Sequence, residues 1–95
     1  MRHRVLVCYD IANPKRLRRT AQACEGYGLR LQLSVFECLL DDLGYERLRG
    51  TLSGIIKHDE DQVLLVTLGP EQERADKRYE HIGRAPPVQS RLTVV

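Results

Sequence analysis

The residue best placed to do chemistry in this 95-residue chain is an acid at the end of the first predicted strand. A run of apolar and β-branched residues, 4–9, ends in Tyr9, and Asp10 follows directly. A carboxylate there can bind a hard cation such as Mg²⁺, which proteins hold through one or two carboxylates, water and substrate phosphate. It can instead cap the strand-to-helix turn. Because one acid makes a weak metal site, a metal role requires a second Asp10 from a dimer partner.

A cluster of cations at the start of the first predicted helix is the second candidate. Its members are Lys15, Arg16, Arg18 and Arg19. Positive charge at a helix N-terminus opposes the helix dipole, so the placement calls for an explanation. Phosphate binding supplies one, because the dipole and the side chains both attract anions. A solvated helix face is the alternative, and the net charge of +2 does not by itself indicate nucleic acid.

Other kinds of site find little support in the sequence. The three histidines, His3, His58 and His81, lack metal-ligand spacing, and there is no Walker loop, GxGxxG or HExxH motif. The three cysteines, Cys8, Cys24 and Cys38, form no CxxC pair, and Cys8 and Cys24 lie at positions expected in a core. No segment is long enough to span a bilayer, and the N-terminal apolar run is too short for a signal peptide. We therefore expect a reduced, cytoplasmic protein without a membrane partner.

The elements that position these residues follow from periodicity and from turn signals. Asn13-Pro14 predicts a helix start, and glycines at 26 and 28 predict its end. Residues 29–40 indicate either one long strand or two short ones with a break near Ser34. A second helix begins at Asp41-Asp42, and residues 62–68 form another buried strand that Gly69-Pro70 stops.

The order of elements predicts a single α+β domain, 1–95, with a ferredoxin-like (split βαβ) core at 3–69. Residues 70–87 are a charged connector, in which 71–84 form a short exposed helix or a loop. An extra C-terminal strand at 88–95 follows the Pro86-Pro87 spacer. Such a strand needs a sheet edge, and exchange between the subunits of a two-fold homodimer can supply one.

Four strings of the sequence resemble one known family. They are Val5 to Ile11, Lys15 to Ala21, Tyr27 to Glu37 and Asp59 to Val63. In order and spacing they are similar to the Cas2 family of small CRISPR-associated spacer-acquisition proteins. The third string, YGLRLQLSVFE, is the most specific match, and the resemblance covers residues 3–69. Residues 70–87 match no signature of the family.

The resemblance implies a ferredoxin-like homodimer with a Mg²⁺- or Mn²⁺-dependent phosphodiesterase activity on RNA or DNA. It also implies an adaptor role, in which the dimer binds the Cas1 integrase and double-stranded DNA, with single-stranded RNA as a further candidate. The catalytic, metal-binding carboxylate carries over to Asp10, one from each subunit. The remaining positions are three supporting residues and five cations for nucleic acid: Tyr9, Ser34 and Phe36; Lys15, Arg16, Arg18, Arg19 and Arg30.

The residues themselves give plainer alternatives for some of these positions. Ser34 has no nearby base in the sequence, which argues against a nucleophile, and Phe36 is typical of a core residue. Two hypotheses follow for the whole chain. The first is a metal-dependent endonuclease, and the second is a non-catalytic DNA-binding adaptor in which Asp10 only caps a turn. A ferredoxin-like dimer unrelated to nucleic acid is a third possibility, which the matched strings disfavour.

Overall fold

Strands and helices alternate in the order β-α-β-β-α-β over the part of the chain that the computed structural model describes, residues 1–72 and 79–85. The elements are β1 His3–Asp10, α1 Pro14–Glu25, β2 Gly28–Gln32, β3 Val35–Leu40, α2 Asp42–Ile55 and β4 Gln62–Pro70. The C-terminal strand predicted at 88–95 lies outside the described residues, as does part of the connector. Residues 79–85 form neither helix nor strand. Neither α1 nor α2 is long and apolar enough to cross a membrane.

The four strands form one sheet in the order β2-β3-β1-β4, with every neighbouring pair antiparallel. Each βαβ unit therefore leaves a gap of one strand, which the other unit fills. This arrangement confirms the predicted α+β, ferredoxin-like fold. Because β1 lies between β3 and β4, its last residue, Asp10, is held in the ladder opposite Gln62.

Both helices begin at side chains that accept backbone N–H groups. The Asn13 side chain accepts hydrogen bonds from the backbone N–H groups of Lys15 (2.9 Å) and Arg16 (3.1 Å), and Pro14 occupies the first helical position. The Asp41 carboxylate accepts from Gly44 N–H at 2.7 Å. Both starts confirm what the sequence predicts, because these caps depend only on local residues.

Two strand boundaries could be assigned only from the structure. Residues 29–40 form two strands, β2 and β3, joined by a turn at Leu33 and Ser34, so the second of the two sequence alternatives is correct. The predicted stop of β4 at Gly69 is wrong, because the strand continues to Pro70. A register shift opposite Arg4 and Val5 accommodates Gly69, whose φ of 129° a residue with a side chain rarely adopts.

The two faces of the sheet differ in what covers them. Both helices pack on one face, and the core lies between: Val5, Val7, Tyr9, Ala21, Cys24, Phe36, Cys38, Leu40, Leu48 and Leu52. The other face, which we call the open face, carries the alternate residues of β1, namely Arg4, Leu6, Cys8 and Asp10. Its exposed apolar residues include Leu64 and Val66 of β4.

The cysteines follow this division. Cys24 and Cys38 are fully buried in the core, whereas Cys8 is half-buried on the open face, so its predicted core position is wrong. All three are free thiols. Hydrogen bonding to Cys24, together with burial, raises the pKa of Cys38, which keeps that thiol protonated at neutral pH.

Candidate metal and nucleic-acid site

Asp10 is exposed, and its carboxylate has no partner in residues 1–72 and 79–85. Its backbone pairs with Gln62, and its side chain shares the open face with Cys8. Among the described residues, nothing donates a hydrogen bond to the carboxylate or forms an ion pair with it. The capping tasks belong to Asn13, which starts α1, and to Asp61, which accepts from Ala12 N–H at 2.9 Å. The hypothesis that Asp10 caps the turn is therefore wrong.

The described part of the chain holds no ready-made metal cluster around Asp10. In residues 1–72 and 79–85, no three His, Cys, Asp or Glu side chains are placed to share an ion. Asp10 nevertheless suits Mg²⁺ or Mn²⁺, because it is an unengaged oxygen ligand and Mg²⁺ keeps several waters.

Tyr9 and Phe36 lie on the opposite side of the sheet from the Asp10 carboxylate. Their side chains are 6% and 1% exposed, and their rings stack with centroids 6.4 Å apart. The Tyr9 hydroxyl donates to the Leu33 carbonyl at 3.3 Å. Burial raises the pKa of Tyr9, and the Arg30 guanidinium beside it opposes that shift. The core position of Phe36 is as the sequence predicts, and both rings can support Asp10 only through the strands.

Arg30 links this aromatic pair to the surface. Its guanidinium carbon lies 5.2 Å from the Phe36 ring centroid, which is a cation–π distance. An open groove of about 580 Å³ runs past Arg30 between α1 and the turn that joins β2 to β3. Arg18 and Ser34 also line it, together with apolar side chains such as Leu17 and Leu33. Four of the predicted residues, Tyr9, Arg18, Arg30 and Ser34, thus line a groove on the helix side of the sheet, apart from Asp10.

The four cations of α1 are not equivalent. Lys15, Arg18 and Arg19 are exposed, and none of them forms an ion pair within the described part of the chain. Arg16 differs, because its side chain is 20% exposed and its guanidinium contacts Asp61 at 2.7 Å and Glu60 at 3.1 Å. The hydrogen bond to Asp61 raises the pKa of Arg16. Arg16 is thus engaged within the chain, unlike its three neighbours.

Asp61 is the residue that sequence reasoning missed. The run Asp59-Glu60-Asp61 predicts a solvated turn, and Asp59 and Glu60 are indeed exposed. The Asp61 side chain, in contrast, has no accessible surface, and Arg16 holds the pKa of its carboxyl well below the usual range. No local pattern separates Asp61 from Asp59, because two of its three partners, Arg16 and Ala12, are 45 and 49 residues away.

Comparison with known proteins places this geometry in context. Residues 1–76 match the family model for CRISPR associated protein Cas2. A CRISPR-associated endoribonuclease Cas2 of Geobacter sulfurreducens is 39% identical over 84 residues, which are 88% of this chain and 87% of that protein. A CRISPR-associated endonuclease Cas2 of Halalkalibacterium halodurans is 36% identical over 89 residues, covering 88% of this chain and 90% of that protein.

Solved structures agree with these sequence matches. Streptococcus pyogenes Cas2, crystallised at pH 6.5, superposes with a TM-score of 0.74 at 35% identity, covering 87% of this chain and 100% of the other. A hypothetical protein from Thermus thermophilus, TT1823, superposes with a TM-score of 0.78 at 29% identity, covering 90% of this chain and 96% of the other. Sequence and fold thus point to the same group of proteins.

Proposed function

The chain belongs to the CRISPR-associated Cas2 family, and from this premise we propose that it is a divalent-cation-dependent endonuclease acting on the phosphodiester bonds of RNA or DNA. The observation that carries the proposal is the Asp10 carboxylate. It is exposed at the end of a rigid central strand, and no described residue engages it. A carboxylate that no described residue engages is available as a ligand.

Different residues of the chain have different roles in such a reaction. Asp10 would hold Mg²⁺ or Mn²⁺ at the end of β1. When bound, the cation supplies Lewis-acid stabilisation of the charge that develops on the phosphate. Arg18 and Arg30 hold the flanking backbone in the groove by charge-assisted hydrogen bonds. Tyr9 and Phe36 keep β1 and β3 in place beneath them.

The active species in this proposal is a two-fold homodimer. Leu64 and Val66 are 51% and 44% exposed on the open face, next to the strand that ends in Asp10. Pairing two copies through this face buries apolar surface and brings the two Asp10 residues toward one axis. β4 is an edge strand of the described sheet, and a terminal strand at 88–95 from the partner would give it a neighbour.

The test compares Asp10→Ala with a matched control, Asp59→Ala, an exposed acid of the α2–β4 turn. Purified proteins are incubated with single-stranded RNA and with duplex DNA, with Mg²⁺, with Mn²⁺ and with a chelator. We expect the wild type and the control to cleave one or both substrates only with metal, and Asp10→Ala to match the chelated background. Equal cleavage by Asp10→Ala would contradict the proposal.

A second function, favoured by a different observation, is that of a DNA-binding adaptor for the Cas1 integrase in spacer acquisition. Lys15, Arg18 and Arg19 are exposed on one helix and unpaired among the described residues, as a phosphate-binding surface requires. The two functions are compatible. A spacer-acquisition assay with Asp10→Ala separates the two functions. If the protein acts only as an adaptor, acquisition continues in this variant. If acquisition requires catalysis by Asp10, the variant acquires no spacers.

A further inference from the structure

One buried carboxylate ties together three segments around the turn that follows Asp10. Asp61 accepts hydrogen bonds from Ala12 N–H (2.9 Å) and Lys57 N–H (2.8 Å). It also accepts from Nε of Arg16 at 2.7 Å and from Nη2 of the same side chain at 3.2 Å. We call Ala12, Arg16, Lys57 and Asp61 the clasp. It joins the β1–α1 turn, the first turns of α1 and the α2–β4 turn.

The clasp uses the whole capacity of its carboxylate. An ionised carboxylate offers about four lone-pair sites, and Asp61 receives four hydrogen bonds. Its side chain has no accessible surface because the groups that bond to it cover it. Glu60 adds a second negative charge at 3.1 Å from the Arg16 guanidinium. No lone pair of Asp61 is left for a metal or for substrate, so its task is to hold the chain.

What it holds is the segment that carries Asp10. Gln62, the residue after Asp61, pairs with Asp10 in the β1–β4 ladder. Ala12, two residues beyond Asp10, is bound by Asp61 itself. Two consecutive residues therefore hold this segment: Gln62 pairs with the backbone of Asp10, and Asp61 binds the backbone of Ala12. We propose that Asp61 is a positioning residue that sets the direction of the Asp10 carboxylate. This inference rests on the proposed metal-binding role of Asp10.

The clasp also assigns Arg16 a structural task. Its Nε and Nη2 groups bond to Asp61, and Nη2 also contacts Glu60, which leaves the side chain 20% exposed. A guanidinium held in this way is not free to form a bidentate contact with phosphate. Phosphate contacts from α1 therefore come from Lys15, Arg18 and Arg19, and Arg16 is not one of them.

The experiment compares Asp61→Asn with Asp59→Asn, the same change at an exposed acid of the same turn. Amide hydrogen exchange at Ala12, resolved by NMR, reports the clasp directly. We expect slow exchange in the wild type and in Asp59→Asn, and faster exchange in Asp61→Asn. With nuclease substrates, we expect kcat of Asp61→Asn to fall by about 10-fold or more at nearly constant KM, with a higher half-saturating Mg²⁺ concentration. A loss of folding alone would lower the active fraction without moving the Mg²⁺ dependence.

Arg16→Lys is the second variant, in case Asp61→Asn does not fold. It keeps the charge, loses the Nε contact, and should show a smaller change of the same kind. Unchanged Ala12 exchange together with an unchanged Mg²⁺ dependence would overturn the inference. So would a duplex-DNA salt dependence that weakens in Arg16→Ala as much as in Arg18→Ala. If the wild type itself cleaves nothing, the proposed nuclease function fails. The exchange and salt measurements still show whether Asp61 holds Ala12 and Arg16.

Discussion

The three free cations of α1 should carry a measurable share of duplex-DNA affinity. Lys15, Arg18 and Arg19 are exposed and form no ion pair with described residues, so each can meet a phosphate without breaking an internal contact. Each phosphate neutralised on B-DNA contributes about 0.9 to the slope of log affinity against log salt. Replacing all three by alanine should therefore reduce that slope by about 2.7 for each protomer that contacts the duplex.

This slope corresponds to a large difference in affinity. Between about 50 and 200 mM salt, a slope of 2.7 changes affinity by about 40-fold, so the triple variant should lose about 40-fold less affinity than the wild type over that range. Fluorescence anisotropy with a labelled duplex of arbitrary sequence, at four or more salt concentrations, measures it. Arg47→Ala, which removes an exposed cation of α2, is the control and should leave the slope unchanged.

The refuting results are specific. A triple variant with the wild-type slope would show that α1 does not contact the duplex. If Arg47→Ala itself lowers the slope by as much per removed charge as the triple variant does, only net charge matters. A reduction near 0.9 in Arg16→Ala would show that the fourth cation leaves Asp61 to bind phosphate. Each outcome identifies which part of the structural reasoning is at fault.

Two predictions concern stability, each measured as a free energy of unfolding from urea titrations. Glu37→Gln leaves Arg4, its partner at 2.8 Å in a pair whose side chains are 13% and 4% exposed, as an uncompensated charge. We expect a cost of about 3–5 kcal/mol, against less than about 1 kcal/mol for Glu46→Gln in an exposed pair. Acidification below about pH 4 should destabilise the fold, because Asp61 and Glu60 have pKa values below those of the unfolded chain, which takes up more protons. Asp61→Asn should flatten that pH dependence; an equally steep loss in this variant would place the responsible carboxylates elsewhere.

Much of the fold could be predicted because its signals are local. The Asn13-Pro14 and Asp41 caps depend on neighbours within one turn. The alternation of buried and open positions along β1 was not predicted, because the run 5–9 is apolar throughout. The end of β4 could not be predicted, because the irregularity that leaves Leu68 between the paired Thr67 and Gly69 exists only through pairing with β1. The choice between one strand and two over 29–40 likewise needed the pairing of β2 with β3.

Some residues of the candidate site could likewise be predicted from the sequence, and others could not. The sequence identified Asp10, and it described Phe36 as a core residue, which the structure confirms. It grouped Arg16 with its three neighbours, since four cations in five positions look alike without knowledge of what faces them. Asp61 and Asp59 were likewise indistinguishable, because the Ala12 and Arg16 donors that bind Asp61 are distant in the sequence.

By itself, the sequence determined the order of the elements, the family, and the acid at the end of β1, since these depend on residue types and short spacings. Only the tertiary structure decided how charges are used. No described residue engages the Asp10 carboxylate, because Asn13 and Asp61 accept the hydrogen bonds of the turn. The Arg16 guanidinium is occupied by an ion pair, because folding brings Asp61, which is 45 residues away in the sequence, next to it. An ion pair or a cap is a matter of distances of a few ångströms, and the chain acquires those distances only when it folds.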